Sequence, residues 1–209
     1  MAGKLNDFWY SLTPEQQASE IPYFMHSGHF RPSVEALNQN LEIGIDTLIV
    51  YEGPFVGEQV IRNEGVSKII NVYGTKSAFD ITDFMQVVEM GPIGAILSLM
   101  NMNDAPVPFL GPVNFTGIND KGENFNIDNF NFEIVGARHN DFSYNSSNSL
   151  TPEQERVNIA TNLFMRKLAE ASTNDILWSE FFIRPGIELD NDRGVYVVDP
   201  LKFQEEYNI

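Results

Sequence analysis

The stretch Glu20-Ile-Pro-Tyr-Phe-Met-His-Ser-Gly-His-Phe-Arg-Pro-Ser-Val-Glu-Ala-Leu37 reads in three pieces. Ile21 to Met25 is a short apolar run that suits a strand, His26-Ser27-Gly28 is a tight turn, and a helix is expected to open near Pro32. Proline suits a first helical turn because its φ is preset and its missing N–H would be unpaired there anyway. A serine at the tip of a strand–turn–helix has the layout of a nucleophile elbow. The sharp turn lifts Oγ above the sheet, and the unpaired backbone N–H groups at the helix start face the reacting oxygen. Met25 and His29 stand where that pattern usually has small residues.

Downstream, Ser33 to Leu41 continues the helix with Val34, Leu37 and Leu41 on one face, and Gly44 is expected to close it as a C-cap. Ile45 to Tyr51 is a largely apolar run, the mark of a strand buried on both faces of a parallel sheet. Gly53-Pro54 ends it, a short helix is expected over Gly57 to Asn63, and Val66 to Tyr73 is the next such strand. Strand and helix alternating at this spacing make βαβ units. From Asp80 to Asp128 the pattern is less regular, with a helix expected around Ala95 to Met100, a proline-rich loop over Asp104 to Pro112 and a turn at Asn119 to Gly122. Phe130 to Val135 reads as a fourth strand that runs into Gly136-Ala-Arg-His139-Asn-Asp141.

Residues 4–19 read as helical, with Thr13-Pro14-Glu15-Gln16 as a capped helix start. The phrase returns as Thr151-Pro152-Glu153-Gln154 and opens the clearest helix in the chain, Thr151 to Ser172, with Val157, Ala160, Leu163, Phe164 and Leu168 along one face. The tail carries Trp178, Phe181 and Phe182 and then a hairpin from Ile187 to Val198. Its turn, Asp190 to Gly194, has oxygen side chains spaced as in the start of a calcium loop, but lacks the further ligands and the closing glutamate, so a plain turn is expected. Together these readings describe one α/β domain over 1–209, with a core at 20–172 and an extension at 173–209.

Composition narrows the partners. A formal net charge of −16 argues against nucleic acid or an anionic membrane surface, both of which would repel it; the plain reading is solubility. The chain has no cysteine, hence no disulfide, thiolate nucleophile or zinc–thiolate site, and no cofactor is expected. The first ten residues lack the apolar core of a signal peptide, and no run reaches the length of a transmembrane segment. The compartment stays open.

Set in order, the chain reads strand, Ser27, helix; strand, Glu52; helix; strand, Asp80; excursion; strand, His139; helix. This order resembles the second half of an α/β-hydrolase, whose triad runs serine, acid, histidine, each just beyond a strand. It is similar above all to the lipase-like hydrolase domains at the ends of bacterial polymorphic-toxin (RHS-type) proteins. The residues that carry the resemblance are Met25-His-Ser27-Gly28, Ile69-Ile-Asn-Val-Tyr-Gly-Thr-Lys76 and Val135-Gly-Ala-Arg-His139-Asn-Asp-Phe142, and it covers about residues 20–172. It implies a partial hydrolase-like fold, a mainly parallel sheet of about four strands with flanking helices, plus the C-terminal hairpin.

Each role has a physical requirement. Ser27 is a poor nucleophile unless a base takes its proton during attack, and an imidazole titrating near neutrality suits that task. His139 is the natural base, since His26 and His29 flank the serine too closely to reach back to it; the competing reading is a loop histidine bonded to backbone. The Gly28 N–H would be one oxyanion donor. The lookalike domains carry an aspartate directly after Gly-Thr-Lys, where this chain has Ser77. Asp80 is therefore the first choice for the acid, with Asp83 and Glu52 as alternatives; each is also readable as a cap or surface carboxylate.

Two functions follow. One is a serine hydrolase acting on small carboxylic esters or lipids through an acyl-enzyme, with Met85, Ile96, Leu97, Leu99, Met100, Met102 and Phe109 lining an acyl pocket or lid, or else forming ordinary core. The other is a catalytically inactive, acidic hydrolase-like domain that binds a protein partner. An α/β-hydrolase usually has several strands before its nucleophile, and one of their loops supplies the second oxyanion donor. Few residues precede Ser27 here. The expectations are a slow enzyme and an exposed strand edge, covered by a second copy or by a missing N-terminal half.

Overall fold

The structure, a computed structural model, describes residues 7, 9–17, 22–26, 30–52, 60–76, 111–142 and 150–207, without the side chains of 30–32, 139 and 140. Along the chain the elements are α1 (Pro14–Gln17), β1 (Tyr23–His26), α2 (Phe30–Gln39), β2 (Thr47–Tyr51), β3 (Val60–Ile61), β4 (Lys68–Gly74), β5 (Thr116–Ile118), β6 (Asn124–Phe125) and β7 (Asp128–Ile134). A 3₁₀ turn (His139–Phe142) follows, then α3 (Pro152–Ser172), α4 (Asp175–Phe181), β8 (Ile187–Asp190), β9 (Val195–Val198) and α5 (Pro200–Glu205).

The four expected strands, β1, β2, β4 and β7, are neighbours and all parallel. His26 is in register with Tyr51, Tyr51 with Val72, and Gly74 with Ile134, so the C-terminal ends of these strands share one edge of the sheet. The C-terminal hairpin extends the same sheet: β9 lies parallel to β7, and β8 pairs antiparallel on the outside of β9. A separate small sheet joins β3, β5 and β6.

The period of two along each strand explains why both faces are covered. Met25, Leu48, Val50 and Ile69 point to one face and meet Ala36 and Leu37 of α2, Trp9 and Phe115. Ile49, Ile70, Val72, Phe132 and Ile134 point to the other and meet Phe164 and Leu168 of α3, Phe181 of α4 and Phe203 of α5. Phe132 is fully buried and meets the Phe164 ring edge-on at 5.7 Å. Each such side chain contributes about 1.5–3 kcal/mol by leaving water.

Asparagines interrupt the first face. Asn71 donates from Nδ2 to the Gly111 carbonyl and to Asn131 Oδ1, both at 2.9 Å. The Val113 N–H donates to Asn131 Oδ1, and the Phe115 N–H to Asn129 Oδ1 at 2.7 Å. These amides replace a strand ladder and strap residues 111–115 across the sheet. Leaving one of them without a partner would cost about 1–3 kcal/mol.

Both Thr-Pro-Glu-Gln phrases form capping boxes. Thr151 Oγ1 accepts from the Gln154 N–H and Gln154 Oε1 from the Thr151 N–H, and Thr13 with Gln16 repeats both bonds. The described part of the first of these helices is Pro14–Gln17, and the chain is out of helix at residues 12–13. Two expectations need correction. Over Gly57 to Asn63 the described part is strand β3, not helix: Asn38 of α2 donates to the Val60 carbonyl and accepts from the Arg62 N–H, which holds this β-branched pair extended against β5. Gly44 does not cap α2, which ends at Gln39, and its φ is not positive. A Cβ there would lie 3.4 Å from the Trp9 ring, an ordinary packing contact. The helix expected at Ala95 to Met100 and the apolar residues of 85–109 lie outside the described residues.

Candidate active site

Where the parallel strands end, three aromatic or imidazole rings line up. The His26 ring stacks on Tyr51 with centroids 4.6 Å apart and planes 12° from parallel, and Tyr51 also meets Phe142 at 6.1 Å. Burial pushes the Tyr51 hydroxyl above its ordinary titration range. Through Phe142 the turn that contains His139 is brought from the end of β7 over the end of β2.

That turn is fixed from two directions. On the sheet side, the Gly136 N–H donates to Thr75 Oγ1 at 2.8 Å and the Lys76 N–H to the Ala137 carbonyl at 2.9 Å, which ties the exits of β4 and β7 together. Gly136 has φ +78°, a region that glycine enters without strain. On the helix side, the buried Asp141 carboxylate accepts from the Arg138 N–H at 2.8 Å and from its guanidinium at 2.9 Å. Asn162 of α3 donates to the Asp141 carbonyl at 3.0 Å, and Asn158 reaches the same carbonyl at 3.3 Å. Removing the Arg138 guanidinium would leave the buried Asp141 carboxylate without its charged partner.

Glu52 follows Tyr51 at the tip of β2. It is 1% exposed and is the one non-glycine among the described residues with positive φ, at 54°. Its N–H donates to the Val72 carbonyl at 2.9 Å, and its Oε1 accepts from the Gly74 N–H at 2.5 Å. Both features are costly. A left-handed backbone at a side-chain-bearing residue costs about 1–3 kcal/mol, and a carboxylate withdrawn from water loses hydration that its hydrogen bonds must offset.

Of the residues singled out in the sequence, Glu52 and the backbone of His139 lie at the same edge of the sheet. Ser27, Gly28 and His29, which follow β1, and Asp80 and Asp83, which follow β4, lie outside the described residues. Arg138 and Asp141, which set the His139 turn, were missed. Their signal was an Arg and an Asp three apart just after a strand and its glycine, a spacing that lets the carboxylate cap its own turn.

Elsewhere, the Asp190 to Gly194 segment is a turn in which Arg193 takes the place a cation would have. Its guanidinium donates to Asp190 at 2.6 Å and to both oxygens of Glu133 at 2.9 and 3.1 Å, and the guanidinium and backbone N–H of Arg193 together hold the Asp190 carboxyl below its ordinary range. Among the described residues no group of three histidines or carboxylates is placed to hold a metal ion. No described helix is long and apolar enough to cross a membrane. No family model, no curated protein and no solved structure matches this chain.

Proposed function

We propose that the chain is a serine hydrolase of carboxylic esters or lipids, built as a partial α/β-hydrolase and akin to the lipase-like domains of RHS-type polymorphic-toxin proteins. The observation that carries this reading is the run of adjacent parallel strands β1, β2, β4 and β7 with their C-terminal ends at one edge. Ser27, Glu52, Asp80 and His139 follow those four strands in turn along the chain. Open α/β sheets bind their ligands at that edge.

In the proposed chemistry Ser27 Oγ attacks the ester carbonyl carbon while His139 takes the hydroxyl proton. The oxyanion is held by the Gly28 N–H. The carbon–oxygen bond to the alcohol then breaks, the alcohol leaves with the proton from His139, and water repeats the sequence on the acyl-enzyme to release the acid. A carboxylate from among Asp80, Asp83 and Glu52 keeps the imidazole oriented. With one oxyanion donor named and a second unassigned, turnover is expected to be slow, since the loss of one donor costs about 10²–10³ in kcat. The test is the rate of the purified chain on short-chain p-nitrophenyl esters beside its Ser27→Ala variant. Slow hydrolysis that Ser27→Ala abolishes is the expected result; equal rates in the two proteins overturn the reading.

A second reading, a hydrolase-like domain that binds a protein without turnover, draws support from the edge of the sheet. Among the described residues β1 pairs on one side only, and its Phe24 is 41% exposed. An open edge with an exposed aromatic is a template for another chain.

A further inference from the structure

Glu52 carries two separate costs at one position, burial of a carboxylate and a left-handed backbone, and neither is needed to end a strand. An ordinary exit from β2 would use glycine or asparagine at that φ and leave the carboxylate in water. Backbone strain and a buried carboxyl group kept together at the edge where open α/β sheets bind ligands point to function before stability. The geometry adds direction. The Gly74 N–H holds Oε1 at 2.5 Å, which anchors the carboxylate between the tips of β2 and β4. Tyr51, the residue before Glu52, is the one that Phe142 reaches from the His139 turn.

We infer that Glu52 is the carboxylate that orients the His139 imidazole, in place of Asp80. The inference rests on the serine-hydrolase reading, in which His139 is the base. Glu52 is then a positioning residue. It accepts the imidazole N–H and favours the imidazolium that forms when the serine proton is taken. Its bond to the Gly74 N–H fixes the carboxylate before any substrate arrives. The other charged groups of the described turn are Arg138 and Asp141, paired with each other at 2.9 Å, and Lys76, whose N–H donates to the Ala137 carbonyl; His26 lies beside Tyr51 at the end of β1.

The test is an NMR titration of the three histidines in the full chain, assigned by single His→Gln variants, in the wild type, in Glu52→Gln and in Asp80→Asn. Glutamine still accepts the Gly74 N–H bond and removes only the charge. Because an opposite charge within bonding reach favours the protonated ring, His139 should titrate above the ordinary value of about 6.5 in the wild type. In Glu52→Gln it should titrate lower than in the wild type by about one pH unit or more, and Asp80→Asn should leave it in place. A His139 titration unmoved by Glu52→Gln, or moved by Asp80→Asn alone, overturns the inference. If Glu52→Gln does not fold, the wild-type value decides, and one at or below 6.5 has the same consequence. This readout needs no turnover. Where ester hydrolysis is present, Glu52→Gln should also lower kcat by about 10²–10⁴ with little change in KM. A Ser27→Ala variant as active as the wild type would sink the hydrolase reading without touching the Glu52–His139 link.

Discussion

Tyr73 and Glu52 show how much a single position can hold in this chain. Tyr73 sits near the end of β4, 4% exposed, on the face of the sheet that also carries Glu133. Burial and then the Glu133 carboxylate push its hydroxyl well above the ordinary value of 10.0. The folded chain therefore keeps this proton at a pH where the unfolded chain has released it. The stabilising contribution is full below pH 10 and is lost as pH rises from there toward the folded-state value. Alkaline denaturation followed by circular dichroism should begin above pH 10 and move to higher pH in Tyr73→Phe; an unchanged curve contradicts this assignment. Among 29 acidic residues, Glu52 was marked in the sequence only by its place after a strand, as one of three candidate acids. Its burial and its φ come from tertiary structure, so they became visible only once β2 and β4 were in register. Asp141 pairs with Arg138 three residues away, a spacing the sequence shows, whereas its bonds to Asn158 and Asn162 of α3 are tertiary.

At the level of elements, local chemistry was legible wherever one residue settled the matter. Thr151 and Thr13 cap as the Thr-Pro-Glu-Gln phrase demands, and the apolar runs at 45–51 and 66–73 became the buried parallel strands β2 and β4. Short segments whose conformation depends on a distant neighbour were not legible. Val60 and Ile61 follow Asn38 of α2 and pair with β5, contacts that no window around residue 60 contains. The docking of α5 depends on a similar tertiary detail at Gly186, with φ +83°. A Cβ there would lie 2.6 Å from the Asp199 carbonyl and 2.7 Å from the Phe203 nitrogen, at the start of α5. Gly186→Ala must therefore move α5, which buries Phe203 against Phe164, as well as strain its own backbone. A loss of about 2–4 kcal/mol in urea unfolding is expected, beyond the usual single-substitution cost. A variant as stable as the wild type would mean that α5 is free to shift.

Across the whole molecule the parallel order of four strands was readable, because strands buried on both faces need helices above and below and hence crossovers of one hand. That β9 and β8 would extend the same sheet beyond β7 was not readable, since a hairpin of alternating pattern pairs equally well with itself. The candidate site was legible as an order of residues after strands, Ser27, Glu52, Asp80 and His139, and not as a geometry. The central claim is that the serine after β1 is a nucleophile served by the histidine after β7. Labelling of the intact chain with a fluorophosphonate probe, with the adduct located by peptide mass spectrometry, tests it most directly. The account predicts one adduct, on Ser27, formed at a rate that falls sharply in His139→Gln and in Glu52→Gln. An unlabelled chain, or an adduct on a serine other than Ser27, would contradict it.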